Sequence, residues 1–308
     1  MRKVPWILTA AVVGIIGFHT CVAIFLCEGT VHLKHKALTE KIRALAESSA
    51  QQFDAKMDTI YVTSFDGARL SAWLFRPQHA NGDAVILLHG HGDNRAGMLG
   101  FVPLFLRRHY AVLVPDSRAH GESGGDLATF GLKESRDLSR WVDGLSARGN
   151  RGCVYGLGES MGASVLLQAL PQEPRFCAVV AESPFASFRE VAYDRLGQKL
   201  GGGAGVGRAL FGPLVSEAFL YSRWRYGIDF NQDAPADSVA STRVPILLIH
   251  GTEDFNIPLR YCQAILKNHS GVMEFWPVPG AGHTEAFGHN PEEFERRVID
   301  WFSRYSRR

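Results

Sequence analysis

Between residues 84 and 278 the chain carries six short β-rich runs: AVILLH (84–89), AVLVP (111–115), CVYGL (153–157), CAVVA (177–181), PILLIH (245–250) and MEFWPV (273–278). The central runs are continuously apolar instead of alternating, which suits strands covered on both faces by helices and argues against a sheet with one wet face. Helical patterns fill intervals at 131–145, 163–170 and 292–305. The last of these has a clear start, because Asn290 can cap it, Pro291 fits the first turn and Glu293 falls three residues after the cap. Upstream, 61–63 and 70–75 flank a Phe65-Asp66-Gly67 turn and read as a hairpin. A hairpin leading into alternating strand and helix predicts an α/β domain over 58–308, with one mostly parallel sheet and helices on both faces.

Composition bears this out as a class. At 308 residues and 46% hydrophobic the chain can bury a full core, which excludes disordered and collagen-like classes. A formal net charge of +2 leaves no electrostatic footprint for nucleic acid. The five cysteines, Cys21, Cys27, Cys153, Cys177 and Cys262, have no zinc-site or bridge spacing and are expected to be buried thiols.

The N-terminus is a separate matter. From Val4 to Cys27 no residue is formally charged, and at 1.5 Å per residue the run makes a helix of about 36 Å, enough to cross a bilayer. Trp6 sits where an interfacial aromatic would. A cleaved signal usually has a shorter apolar core, and the small-x-small site at Cys21-Val22-Ala23 would leave apolar sequence behind it. The expectation is an uncleaved single-pass transmembrane anchor over 1–30, followed by a juxtamembrane helical linker over 31–57. Arg2 and Lys3 abut the span, whereas Lys34, Lys36, Lys41 and Arg43 begin seven residues beyond it, which favours an exported domain. His32 and His35 would share a helix face in the linker, where a solvated face is preferred to a metal pair.

The strand–helix alternation stops between Ser183 and Arg243. This interval is rich in aromatics, among them Phe185, Phe188, Tyr193, Phe219, Tyr221 and Trp224, and it predicts an inserted helical cap at about 184–242. Its GGGAGVG run at 201–207 has no leading strand and no closing Lys-Ser/Thr, so it reads as a flexible joint and not as a phosphate loop.

Two Gly-x-Ser-x-Gly patterns occur. Gly121–Gly125 lies in a polar loop, whereas Gly158-Glu159-Ser160-Met161-Gly162 follows CVYGL directly and runs into ASVLLQAL. A nucleophile held on a strained strand-to-helix turn needs the second setting, which selects Ser160 over Ser123. Serine becomes a nucleophile only when a histidine takes its proton and a carboxylate orients that histidine. Asp254 follows PILLIH, and His283 follows MEFWPV, both a few residues past strand ends. Glu253 and Glu182 are rival acids, and His289, beside the Asn290 cap, reads as a helix-start residue. The oxyanion hole needs one amide after the nucleophile, that of Met161, and one from the His89-Gly90-His91-Gly92 loop, for which His91 is the choice. His89, His91 and Asp93 as a metal set is the lesser alternative.

The succession LLHGHGDN, PDSRAHGESGG, GLGESMG, LLIHGTEDFNIP and PGAGH resembles the α/β-hydrolase superfamily over about 250 residues of the chain. Within it the chain resembles bacterial serine-aminopeptidase-like hydrolases, with relatives among membrane-anchored depalmitoylase-like proteins. The resemblance implies that Asp116–Gly125 is a structural loop and that Glu159, where many members carry histidine, faces the rim of the site. It also implies a serine hydrolase acting on a small-molecule acyl substrate, with no cofactor and no metal. The expected activity is cleavage of a carboxylic ester or related acyl bond. The alternatives are an aminopeptidase or amidase, for which Glu190, Asp194 or Glu217 would hold the substrate amine, and a silent scaffold.

Overall fold

The computed structural model describes residues 4–232, 234–269 and 271–307, which group into two compact units, one of Leu33–Ser187 with Asp233–Arg308 and one of the N-terminal segment to His32 with Phe188–Gln232. Arg2 and Lys3, invoked above for orientation, lie outside the described residues.

The larger unit is built on eight strands, β1 (Ala55–Thr63), β2 (Arg69–Pro77), β3 (Ala84–Leu88), β4 (Ala111–Pro115), β5 (Val154–Glu159), β6 (Phe176–Glu182), β7 (Ile246–Gly251) and β8 (Met273–Val278). They form one sheet in the order β1-β2-β4-β3-β5-β6-β7-β8. β1 and β2 form the hairpin, β2 runs antiparallel to β4, and every later pairing is parallel. All residues of β3, β4 and β6 are buried, as continuous apolar runs require.

Helices, numbered in chain order, are α1 (Val4–Val31), α2 (Glu40–Gln51), α3 (Val102–Leu106), α4 (Glu134–Ala147), α5 (Met161–Ala169), α6 (Phe188–Gln198), α7 (Ala204–Tyr226), α8 (Pro235–Ser238), α9 (Arg260–Asn268), α10 (Ala286–His289) and α11 (Pro291–Arg304). Asn290 caps α11 by accepting from the Glu293 N–H at 3.3 Å. On one face of the sheet Trp73, Phe75, Leu87 and Tyr155 join Phe105, Phe294, Trp301 and Phe302 in a continuous core.

Several expectations are corrected. The expected helix does not fill residues 31–57; α2 starts after Thr39, whose side chain accepts from the Ile42 N–H, and its Ala46 and Ala50 belong to the core. His35 is therefore not on a helix face with His32; its Nδ1 lies 2.9 Å from the Gly121 carbonyl. Cys153 and Cys177 are not thiols but a disulfide, because the adjacent parallel strands β5 and β6 bring their Cα atoms to 5.7 Å. Cys21 is exposed, and only Cys27 and Cys262 are buried thiols.

In the smaller unit α6 and α7 pack together, and Phe188, Phe219 and Phe230 form an aromatic cluster with centroids 4.8–6.1 Å apart. Its glycines are more than a loose joint. A Cβ on Gly207 would stand 1.9 Å from the Tyr193 carbonyl, so the residue permits a close approach of the two helices. α1 contains a stretch, Thr9–Val31, long and apolar enough to cross a membrane by length and composition.

Candidate active site

Ser160 stands between β5 and α5 with φ +51° and ψ −113°, a strained geometry for a non-glycine residue. The flanking glycines explain how so sharp a turn can pack. A Cβ on Gly158 would come within 2.6 Å of the Gly162 backbone, and one on Gly162 within 2.3 Å of the Leu88 carbonyl. The Ser160 N–H donates to the Glu182 carbonyl at 2.8 Å, which ties the turn to the end of β6.

Ser160 Oγ lies 2.9 Å from His283 Nε2, and His283 Nδ1 lies 2.7 Å from Asp254 Oδ2. Asp254 Oδ1 accepts the N–H groups of Asn256 and Ile257 at 2.9 and 2.8 Å. Burial pushes the Asp254 carboxyl up, but the hydrogen bonds from His283 and the Ile257 N–H outweigh it and hold the group below its ordinary value. Asp254 thus stays a carboxylate that fixes the imidazole with Nε2 facing the serine. The rivals are otherwise placed: Glu253 is exposed, and Glu182 Oε1 accepts the Ala286 N–H at 2.9 Å.

Sequence reasoning missed how the two loops are held together. Gly251 ends β7, and a Cβ there would stand 2.2 Å from the Ala281 carbonyl; the Glu253 N–H donates to that same carbonyl at 2.9 Å. Only a glycine lets the His283 loop come so close to the Asp254 loop. The signal was the Gly following PILLIH. His250 was also missed: it is buried, and its Nε2 lies 2.7 Å from the Ile257 carbonyl and 3.4 Å from Asp254 Oδ2.

Of the expected oxyanion donors, Met161 opens α5, whose N-terminal dipole favours a developing negative charge. His91 follows Gly90, where an added Cβ would lie 3.6 Å from Ser160 Cβ. This loop is braced by the Asp116–Gly125 segment. His120 Nδ1 donates to the Arg118 carbonyl at 2.8 Å and Nε2 accepts from the Gly92 N–H at 3.2 Å, while His89 Nε2 accepts from the Ser117 N–H at 3.0 Å. Burial lowers both imidazoles, His89 to about 4, so both are neutral acceptors. Ser123 Oγ is buried, donates to the Asp116 carbonyl at 2.8 Å and accepts from the Ser71 N–H at 2.9 Å, a bracing role. Among the described residues no group of three or more His, Cys, Asp or Glu is placed to hold a metal ion.

Glu159 and Glu182 are paired in register at the ends of β5 and β6. Burial, then the charges of Glu182 and Asp93, push Glu159 up to about 9, and burial pushes Glu182 in the same direction.

The chain is similar to the uncharacterized protein YqkD of Bacillus subtilis, at 27% identity over 229 residues covering 72% of each chain. It is similar also to the uncharacterized protein YfhR of Escherichia coli, at 24% identity over 79% of this chain and 80% of that one. Among solved structures it shares its fold with the Pyrococcus furiosus esterase Pf2001, with TM-score 0.69 and 23% identity over 89% of this chain and 99% of that one. It shares it too with the Pyrococcus horikoshii acylaminoacyl peptidase, with TM-score 0.61 and 16% identity over 82% of this chain and 42% of that one. The profile described as the alpha/beta hydrolase family matches residues 85–297, so with a mostly parallel eight-stranded sheet and a strand–Ser160–helix turn the chain belongs to that family.

Proposed function

We propose that this chain is a membrane-anchored serine hydrolase that cleaves a carboxylic ester or related acyl bond through an acyl-Ser160 intermediate. The observation that carries it is the continuous contact from Ser160 through His283 to Asp254. His283 takes the Ser160 proton as Oγ attacks the acyl carbon, then gives that proton to the leaving alkoxide. In the second half-reaction it deprotonates water, which releases the acid and restores Ser160. The amides of Met161 and His91 bind the oxyanion in both steps.

The ester reading is preferred to the aminopeptidase because two of the carboxylates that would hold a substrate amine are engaged: Glu190 pairs with Arg208 at 2.6 Å, and Glu217 with His19 at 2.6 Å. α1 supports anchoring, and the Cys153–Cys177 disulfide supports an exported catalytic domain, since such bonds persist in oxidising compartments.

A fluorophosphonate probe tests the nucleophile. Ser160→Ala should abolish labelling, and Ser123→Ala should retain it; the reverse pattern rejects the assignment. Turnover of p-nitrophenyl esters by the full chain, without cleavage of aminoacyl p-nitroanilides, separates the ester reading from its rival.

A further inference from the structure

The N-terminal helix changes character at His19. Trp6 and residues 9–18 are exposed all round, with Ile15 and Phe18 at 68% and 73%, whereas Ala23, Cys27 and Val31 are buried on one stripe. That stripe packs on α7, within the same compact unit. His19 Nδ1 lies 2.6 Å from Glu217, the Thr20 hydroxyl donates to Glu217, and Glu28 accepts from the hydroxyls of Tyr221 and Tyr226 at 2.8 and 2.6 Å. The partners advance together along both helices, so α1 and α7 run parallel where they touch. These half-exposed polar groups satisfy one another across the pair.

The outside of the pair carries several large exposed apolar side chains, with Arg208 and Ser216 exposed on other sides of α7. At 100° per residue, Val206, Leu210, Leu220 and Trp224 fall within an arc of about 80° on α7, an arc that also holds Glu217, whose carboxylate is taken up by His19 and Thr20 of α1. Leu220 and Trp224 are 66% and 79% exposed, and Phe25 on the outer side of α1 is 76% exposed. Arg223 and Arg225 stand at the end of this surface, beside Tyr221, Trp224 and Tyr226, an arrangement that matches an aromatic and cationic membrane boundary.

Lengths decide what covers it. The stretch from Trp6 to Phe18 spans only about 20 Å, against a hydrocarbon thickness of about 30 Å. A bilayer entered at Trp6 must therefore continue past His19 by about 10 Å, to the level of Phe25, where α7 is packed alongside. A helix at that depth meets lipid on whatever side its partner leaves open.

We propose that the cap helix α7 is itself seated in the phospholipid bilayer, with Leu220 and Trp224 in contact with acyl chains and Arg223 and Arg225 at the headgroups. This rests on the reading of α1 as a membrane anchor, and it makes α1 and α7 one lipid-embedded pair.

The test uses the full chain reconstituted in phosphatidylcholine–phosphatidylglycerol vesicles. Nitroxide labels are placed singly at Leu220→Cys, Trp224→Cys, Ile15→Cys and Ser303→Cys, all in a Cys21→Ala background whose own labelling is subtracted. Collision with oxygen, which concentrates in lipid, is compared with collision with a water-soluble nickel chelate. The oxygen-to-nickel ratio at 220 and 224 should exceed that at 303 by at least tenfold and approach that at 15. A water-like ratio at 220 and 224 with a lipid-like ratio at 15 would overturn the proposal and leave the anchor intact. Water-like ratios at all sites would overturn both. Low collision with both reagents at 220 and 224 would mean that protein, such as a second copy of the chain, covers the face, and would overturn the lipid assignment.

Discussion

Three carboxyl groups close to the site, Asp254, Glu159 and Glu182, are driven in opposite directions by their surroundings, and that separation favours Asp254 as the acid of the proposed triad. Asp254 has an imidazole and two backbone N–H donors and is held ionised, while the other two are pushed towards the neutral form. Asp254→Asn keeps the volume and the Asn256 and Ile257 N–H bonds but removes the charge that selects the His283 tautomer. It should lower kcat on a p-nitrophenyl ester by about 10⁴ with the thermal midpoint little changed, as such a substitution does in other triads. A loss of less than tenfold would move the role to Glu182 or Glu253. At this scale Ser160, Asp254 and His283 were legible in the sequence, because each side chain comes with its own punctuation: glycines around the first and strand ends before the other two.

At the scale of elements, strand pairing makes consequences that no single position announces. β5 and β6 are parallel and in register at their ends, so half-buried Glu159 and buried Glu182 stand side by side. Both are raised above the ordinary glutamate value of 4.5, Glu182 to about 7, with burial the main cause, partly offset by the Ala286 N–H and reinforced by Asp254. The stability of the neutral pair is fully present below about pH 4.5 and is lost as the pH rises through 7 towards 9. Each unit of that interval costs about 1.4 kcal/mol per group as an upper bound. Glu182→Gln should therefore raise stability by about 1–3 kcal/mol at pH 8 in urea unfolding and change it little at pH 4.5. Retention of the wild-type pH slope in the variant would show that the pair does not share this burden. The same pairing closes the Cys153–Cys177 bridge. A separation of 24 residues says nothing about a bond that depends on which strands become neighbours.

For the whole molecule, the first segment of the chain and a segment nearly two hundred residues later fold as one unit. Residues 19–31 are thus part of a tertiary structure as well as of an apolar span. A chain beginning at Leu33 should keep the eight-stranded sheet but leave α7 without the stripe that buries it. Trypsin cleavage between Arg189 and Arg225 should then be at least tenfold faster than in the detergent-solubilised full chain, as expected of an element that has lost its packing. Equal rates would mean that α6 and α7 hold without α1. The sequence by itself determined the α/β class, the strand order along the chain, the apolar N-terminal helix and the candidates Ser160, Asp254 and His283. Hydrophobic period and turn chemistry are local and can be read in short windows. Only the tertiary structure decided the disulfide, the Glu159–Glu182 pair, the Gly251 approach to the His283 loop and the α1–α7 pairing. Each is a contact between segments far apart in the chain, and such contacts exist only once the sheet order and the helix packing have chosen the neighbours.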